Sequence, residues 1–247
     1  MSVTPPGVTG GCRPSTVERP DYQRLAHQDL RANLRALNGL LRIAVERQMQ
    51  EAAGLDRPEV AHLAITDRHA DLMLDRVDRV VAADGVAENA PPANEPRCDH
   101  RVDDEKTRSA AERRGWMLPL DRLTRHHGLG EIDRLALLAC TAPEIDIGYH
   151  RLYGYVLDDI NRSNPCPALL SALAAAAWGE PLTARPMLGR HGRLRRLGLV
   201  ETHGDAATDL LQDLRLAPPV LEFLLGAPID IELLATSVPG SSKVTGA

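Results

Sequence analysis

Aromatic residues are scarce in this chain. They make up 3% of it, and Phe223 is the only phenylalanine. A β-sandwich core leans on aromatic and β-branched side chains. A core built instead from Leu, Ala, Val and Ile favours helices packed on helices. Lysine is nearly absent as well: Lys106 and Lys243 are the only two among 29 basic residues. That bias fits a GC-rich coding sequence and carries no functional weight. There is no surplus of positive charge. The net charge is −5, and the parts before and after Ala110 are both slightly acidic, so the chain lacks the global basic footprint of a nucleic-acid binder. Cys12, Cys98, Cys140 and Cys166 are far apart, with no C-x-x-C pair. This spacing suits neither a zinc site nor a disulfide framework and reads as free thiols in a reducing compartment. The polar, Pro/Gly-rich stretch Met1–Gly11 has no apolar signal region. No apolar run approaches the roughly 20 residues of a membrane span. The expectation is a cytoplasmic protein that does not engage a membrane.

What the chain does have is helical periodicity. Residues 1–20 are dominated by Pro, Gly, Ser and Thr and read as a disordered N-terminus. From Tyr22 to Ala53, Leu30, Leu34, Leu37, Leu41, Val45 and Met49 recur at spacings of three and four, which places them on one helix face. Gly54 is a stop signal, and Asp56 followed by Pro58 and Glu59 reads as the cap of a second helix over 57–83. Two apolar stripes joined by a short turn predict a helical hairpin over 21–84. Residues 85–114 contain Pro91, Pro92, Pro96 and the charged run 101–106, and read as a flexible linker.

The second half opens at Gly115-Trp116. Leu118, Leu120 and Leu123 predict a short helix ending at His127-Gly128, and a further helix starts at Glu131 and ends at Pro143. A third runs over 147–161 with Tyr149, Leu152, Tyr153, Val156 and Ile160 inward, and an alanine-rich fourth runs over 168–178. Leu199–Thr202, His203-Gly204-Asp205 and Leu210–Leu216 then read as strand, turn, strand, and Val220–Leu225 as a last helix closed by Gly226. Short helices followed by a small β-hairpin outline a winged helix over 115–226. The overall expectation is a mainly α chain, with a loop-like tail over 227–247.

No catalytic constellation accompanies these elements. There is no G-x-S-x-G elbow. Glu144, Asp146, Asp158 and Asp159 are acidic, but acid–base work needs two carboxyl groups converging in one pocket. Asp158 and Asp159 sit at a helix C-terminus, where a contact with Arg162 explains them better. His126-His127 and Cys98-Asp99-His100 are poor metal ligands, because adjacent residues on a helix point apart. The densest basic run is 190–196. Arg190, Arg193, Arg195 and Arg196 lie beside the expected wing, where they would meet either phosphates or an acidic protein surface.

The run Leu118-Pro119-Leu120-Asp121-Arg122-Leu123, then Gly128-Leu129, Leu135–Ala142, Pro143-Glu144, Tyr149–Asp159 and the closing Phe223-Leu224-Leu225-Gly226 resembles the winged-helix region that precedes the motor of certain bacterial AAA-family ATPases. Members of that group accompany phage-tail-like contractile injection systems. The resemblance covers Gly115–Gly226 and implies protein partners: a motor core, cargo or injection-system components, with oligomerisation through the motor. It also implies ATP and Mg²⁺ in a full-length ATPase. No stretch here matches the phosphate-cradling G-x-x-x-x-G-K-[ST] loop; Gly240-Ser241-Ser242-Lys243 lacks the spacing, and Gly7–Gly11 lacks the lysine. No catalytic, cofactor-binding or metal residue is therefore expected in this chain, which is expected to be a portion of such an ATPase or a relative without its motor. The alternative is a DNA-binding regulator whose wing arginines touch phosphates.

Overall fold

Leu30, Leu34, Leu37, Leu41 and Val45 are all buried on one face of a single long helix, α1 (Arg19–Ala53). At 1.5 Å per residue, its 35 residues span about 52 Å. The computed structural model describes residues 19–53, 66–82, 100–179, 192–204, 206 and 208–234. Gly54, Asp56 and the predicted start of the second helix fall outside them. α2 (Asp67–Ala82) lies against α1 and buries Ala70, Leu74, Val77 and Val81 at helical spacing. α3 (His100–Arg113), α4 (Pro119–His127), α5 (Glu131–Ile145), α6 (Gly148–Val156) and α7 (Pro167–Trp178) follow. The chain continues with α8 (Arg193–Arg196), β1 (Val200–His203), a 3₁₀ turn (Asp209–Leu211), β2 (Asp213–Leu216), α9 (Pro218–Leu224) and α10 (Ile231–Leu234).

The wing is an antiparallel pair with Val200 opposite Leu216 and His203 opposite Asp213. The Leu214 N–H donates to the Pro165 carbonyl (2.8 Å), which attaches the stretch before α7 to β2. Val200, Leu214 and Leu216 face the core, and Glu201 and Arg215 face outward. The segment Leu210-Leu211, expected as strand, is the 3₁₀ turn, and pairing begins at Asp213.

One feature departs from the expected organisation. Residues 100–113, placed in the linker by their charge, form α3, which packs on α1. Ala111 is buried there with Tyr22, Leu25, Trp116 and Leu118 in a small satellite core. The hairpin helices also share the main core with the second half: α1 touches α5, α6 and α7, and α2 lies along α6. The predicted loop after Gly226 includes α10, which buries Ile231 and Leu234.

Two polar devices fix how these helices meet. Asn38 on α1 is 3% exposed. Its Nδ2 donates to Asp78 on α2 (3.0 Å), and its Oδ1 accepts from the Tyr149 hydroxyl on α6 (2.8 Å). Arg42 donates to the other Asp78 oxygen (2.9 Å). Burial pushes the Tyr149 hydroxyl well above its ordinary range, so it remains a proton donor.

The second device surrounds Pro143. The sequence predicts that this proline ends α5, yet the helix continues to Ile145. A proline in a helix has no N–H for the carbonyl four residues back. That carbonyl belongs to Ala139, which is fully buried, and the Tyr153 hydroxyl donates to it at 2.8 Å. A side chain from α6 thus replaces the missing backbone donor. The third helix is also shorter than expected. It ends at Val156, Asp158 takes a left-handed φ of 51°, and Ile160, expected inward, is 59% exposed.

Tyr153→Phe should therefore destabilise the fold by about 1–3 kcal/mol, the cost of an orphaned buried carbonyl, with helix content unchanged. Urea unfolding followed by circular dichroism measures this; a variant as stable as the parent would contradict the role given to the hydroxyl.

Candidate interaction surface

Beside the wing, α7 packs on the 3₁₀ turn and α8 packs on β1. In a helix-turn-helix the second helix is the one presented to DNA, and α8 is the described part of the chain just before β1. Arg190 lies outside the described residues. α8 is held down by Leu194, which is buried, and by the buried Leu199 and Val200 that follow it. This anchoring turns Arg193 and Arg196 outward, with Arg195 partly covered.

The arginines are not equivalent. Arg193 donates to the carbonyl of Gly128, the left-handed residue that caps α4. Its guanidinium therefore joins α8 to α4. Arg195 reaches the Thr202 hydroxyl on β1 at 3.4 Å. Arg196 is exposed at the edge of the wing. From Gly192 to Ala217 the four arginines are matched by four carboxylates, Glu201, Asp205, Asp209 and Asp213. The stretch is electrically neutral, and phosphate binding needs a surplus of cations.

The other sequence candidates are dispersed. Asp146 receives Arg76 through both Nε (2.7 Å) and Nη2 (2.9 Å) and accepts the Gly148 N–H. This bidentate pair holds its carboxyl below the ordinary range and links α2 to the start of α6. Asp159 pairs with Arg162 (3.2 Å), as its position beside that arginine implied, and Arg162 also donates to the Leu211 carbonyl. Glu144 is exposed. His126 and His127 meet edge-on with ring centroids 4.7 Å apart, and burial, then His126, lowers the pKa of His127. Cys98 and Asp99 lie outside the described residues, as does Cys12. Among the described residues no His, Cys, Asp or Glu group is placed to hold a metal ion. Cys140 and Cys166 are free and buried, and burial pushes the Cys140 thiol up to about 12.

One charged cluster escaped sequence reading. Asp29 on α1 is 2% exposed, and its nearest cation is Arg108 on α3, at 4.0 Å. Burial, reinforced by the nearby Asp121, pushes its carboxyl up to about 6. Arg134 on α5 bridges Asp121 (2.6 Å) and the Asn33 side-chain oxygen (2.9 Å). The contacts span residues 13 and 101 positions apart, so no local motif announces them. Arg134 and Asp121 are committed to each other, which makes the cluster a strut between helices.

Residues 25–238 match the family described as "Winged helix domain, variant", and the chain belongs to that family. The match takes in the hairpin, the 85–114 segment and the start of the tail as well as the 115–226 region. No curated protein and no solved structure matches the chain. The fold class is thus a mainly helical winged-helix domain, a generic module for interaction with protein or DNA. Among the described residues no helix is long and apolar enough to cross a membrane.

Asp29 generates a test with a defined sign. Its carboxyl loses a proton near 6 in the folded chain and near 3.8 when unfolded. The contribution of Asp29 to stability therefore falls as pH rises through that window and is level above it. Asp29→Asn should stabilise the protein above pH 6 by about 2–3 kcal/mol, and the gain should vanish below pH 4. Urea midpoints measured across that range check it; a gain independent of pH would contradict the assignment.

Proposed function

We propose that this chain is a non-catalytic protein-interaction module: the N-terminal part of an AAA-family ATPase of the contractile-injection-system group. In that setting it recognises substrate or cargo, or organises the oligomer, in the cytoplasm. ATP and Mg²⁺ belong to the motor, and no residue of this chain holds a cofactor.

The observation that carries the protein over the DNA reading is the charge and tethering of the wing. The stretch from Gly192 to Ala217 has no cationic surplus, and the Arg193 guanidinium is engaged by the Gly128 carbonyl. A DNA reader concentrates cations on the face it presents, because phosphate contacts supply most of its affinity. The ATPase setting is supported by the resemblance over Gly115–Gly226. The extended helical surround, with α1 to α3 packed about the winged helix, offers far more surface than a minimal DNA reader needs.

Two measurements test this reading. Fluorescence anisotropy with a labelled duplex at low salt should give a dissociation constant weaker than about 10⁻⁴ M. Tight, salt-dependent binding lost on Arg195→Ala and Arg196→Ala would establish the DNA regulator instead. Capture of sheath or cargo proteins by the ATPase should fall when residues 1–226 are removed, and equal capture would overturn the proposal.

A further inference from the structure

A cleft of about 230 Å³ lies away from the wing, between the first turn of α1, α4 and the loop after α9. Arg19 and Tyr22 on α1, Arg122 on α4 and Phe223, Gly226 and Ile229 beyond the wing line it. Two arginines line the cleft and no carboxylate does, although acidic residues outnumber basic ones in the chain, 34 to 29. Both guanidiniums are positively charged, so an anion in the space they line is attracted by each of them.

The walls are built rather than incidental. The Arg122 guanidinium lies over the Phe223 ring, 5.5 Å from its centroid. A guanidinium stacked on an aromatic face keeps its N–H donors in its own plane, where they match a planar carboxylate. Phe223 is 2% exposed and Tyr22 6%; the Tyr22 hydroxyl donates to the Met117 carbonyl (3.1 Å) and lies within hydrogen-bonding reach of the Arg122 guanidinium, which it helps to position. Gly226 has a φ of +85°, and a Cβ there would come within 3.1 Å of Ala26 and 3.2 Å of the Gln23 backbone. The loop is thus seated on α1 at a position only glycine fits.

We propose that this cleft binds a carboxylate carried on an acidic side chain of a protein partner. The cleft is smaller than the roughly 300–1,000 Å³ of small-molecule sites. It suits one short side chain, with Phe223 and Ile229 covering the methylenes and the arginines taking the charge. A hydrated phosphate gains nothing from those apolar walls. The inference rests on the protein-partner reading above and adds the chemistry of the partner.

The test is an NMR titration of the ¹⁵N-labelled full chain with the peptide acetyl-Ala-Glu-Leu-Glu-Ala-amide, its Gln counterpart and inorganic phosphate. The Glu peptide should give saturable shifts at the amides of Arg122 and Gly226. Binding should weaken by about 10-fold or more for the Gln peptide, for Arg19→Gln and for Arg122→Gln. Should Arg122→Gln lower the melting temperature by releasing Phe223, Arg19→Gln decides, since Arg19 has no such stacking role. Equal binding of the Gln peptide, phosphate binding as tightly as the Glu peptide, or no saturable shift by about 5 mM peptide would each overturn the site. A silent cleft in a protein that still captures partners through residues 1–226 rejects the site alone. A responsive cleft in a protein whose capture ignores residues 1–226 rejects the broader reading alone.

Discussion

Asn38 sits where three helices meet, and the rest of the structure depends on that meeting. A buried amide is costly unless both of its ends are satisfied. Its two ends are answered by Asp78 from α2 and Tyr149 from α6. A one-turn slip of α2 along α1 would leave the Asn38 amide nitrogen without Asp78, and a slip of α6 would leave the Asn38 oxygen and the Tyr149 hydroxyl without each other. Apolar stripes tolerate such slips, because Leu and Ala contacts are interchangeable. The polar node does not, and it is what selects one register for α1, α2 and α6.

The same logic recurs at Ala139. Pro143 removes a backbone donor inside α5 and Tyr153 supplies another from α6. The two tyrosines lie one turn apart on α6, each hydrogen-bonded to a different helix. α6 is therefore the keystone between the hairpin and the winged helix: Tyr149 faces α1 and Tyr153 faces α5. In a chain so poor in aromatics, these rings serve as donors as much as core filling.

The fold class was legible because it rests on periodicity. The α1 stripe, the Gly128 cap and the strand–turn–strand pattern are local, and each appears in the structure close to where the spacing put it. Three features were not legible, each for a physical reason. α3 has a charged sequence that reads as linker, and only packing on α1 by residues such as Ala111 makes it an element of the core. Pro143 is a helix breaker by itself and is tolerated because of a tyrosine ten residues on. The Arg19–Arg122 cleft and the Asp29 cluster bring together residues scattered along the chain, so no motif could mark them. The arginines beside the wing were legible as a cluster, but not the Gly128 carbonyl that engages Arg193.

The hairpin helices are part of the winged-helix body, sharing its core and joined to it through Asn38. Native-state hydrogen exchange tests this most directly. The amides of Leu37, Leu41, Leu74 and Tyr153 should open with the same free energy, and Asn38→Ala should lower all four together. Exchange of the α1 and α2 amides through a separate, lower-energy opening, with α5 to α7 still protected, would contradict it.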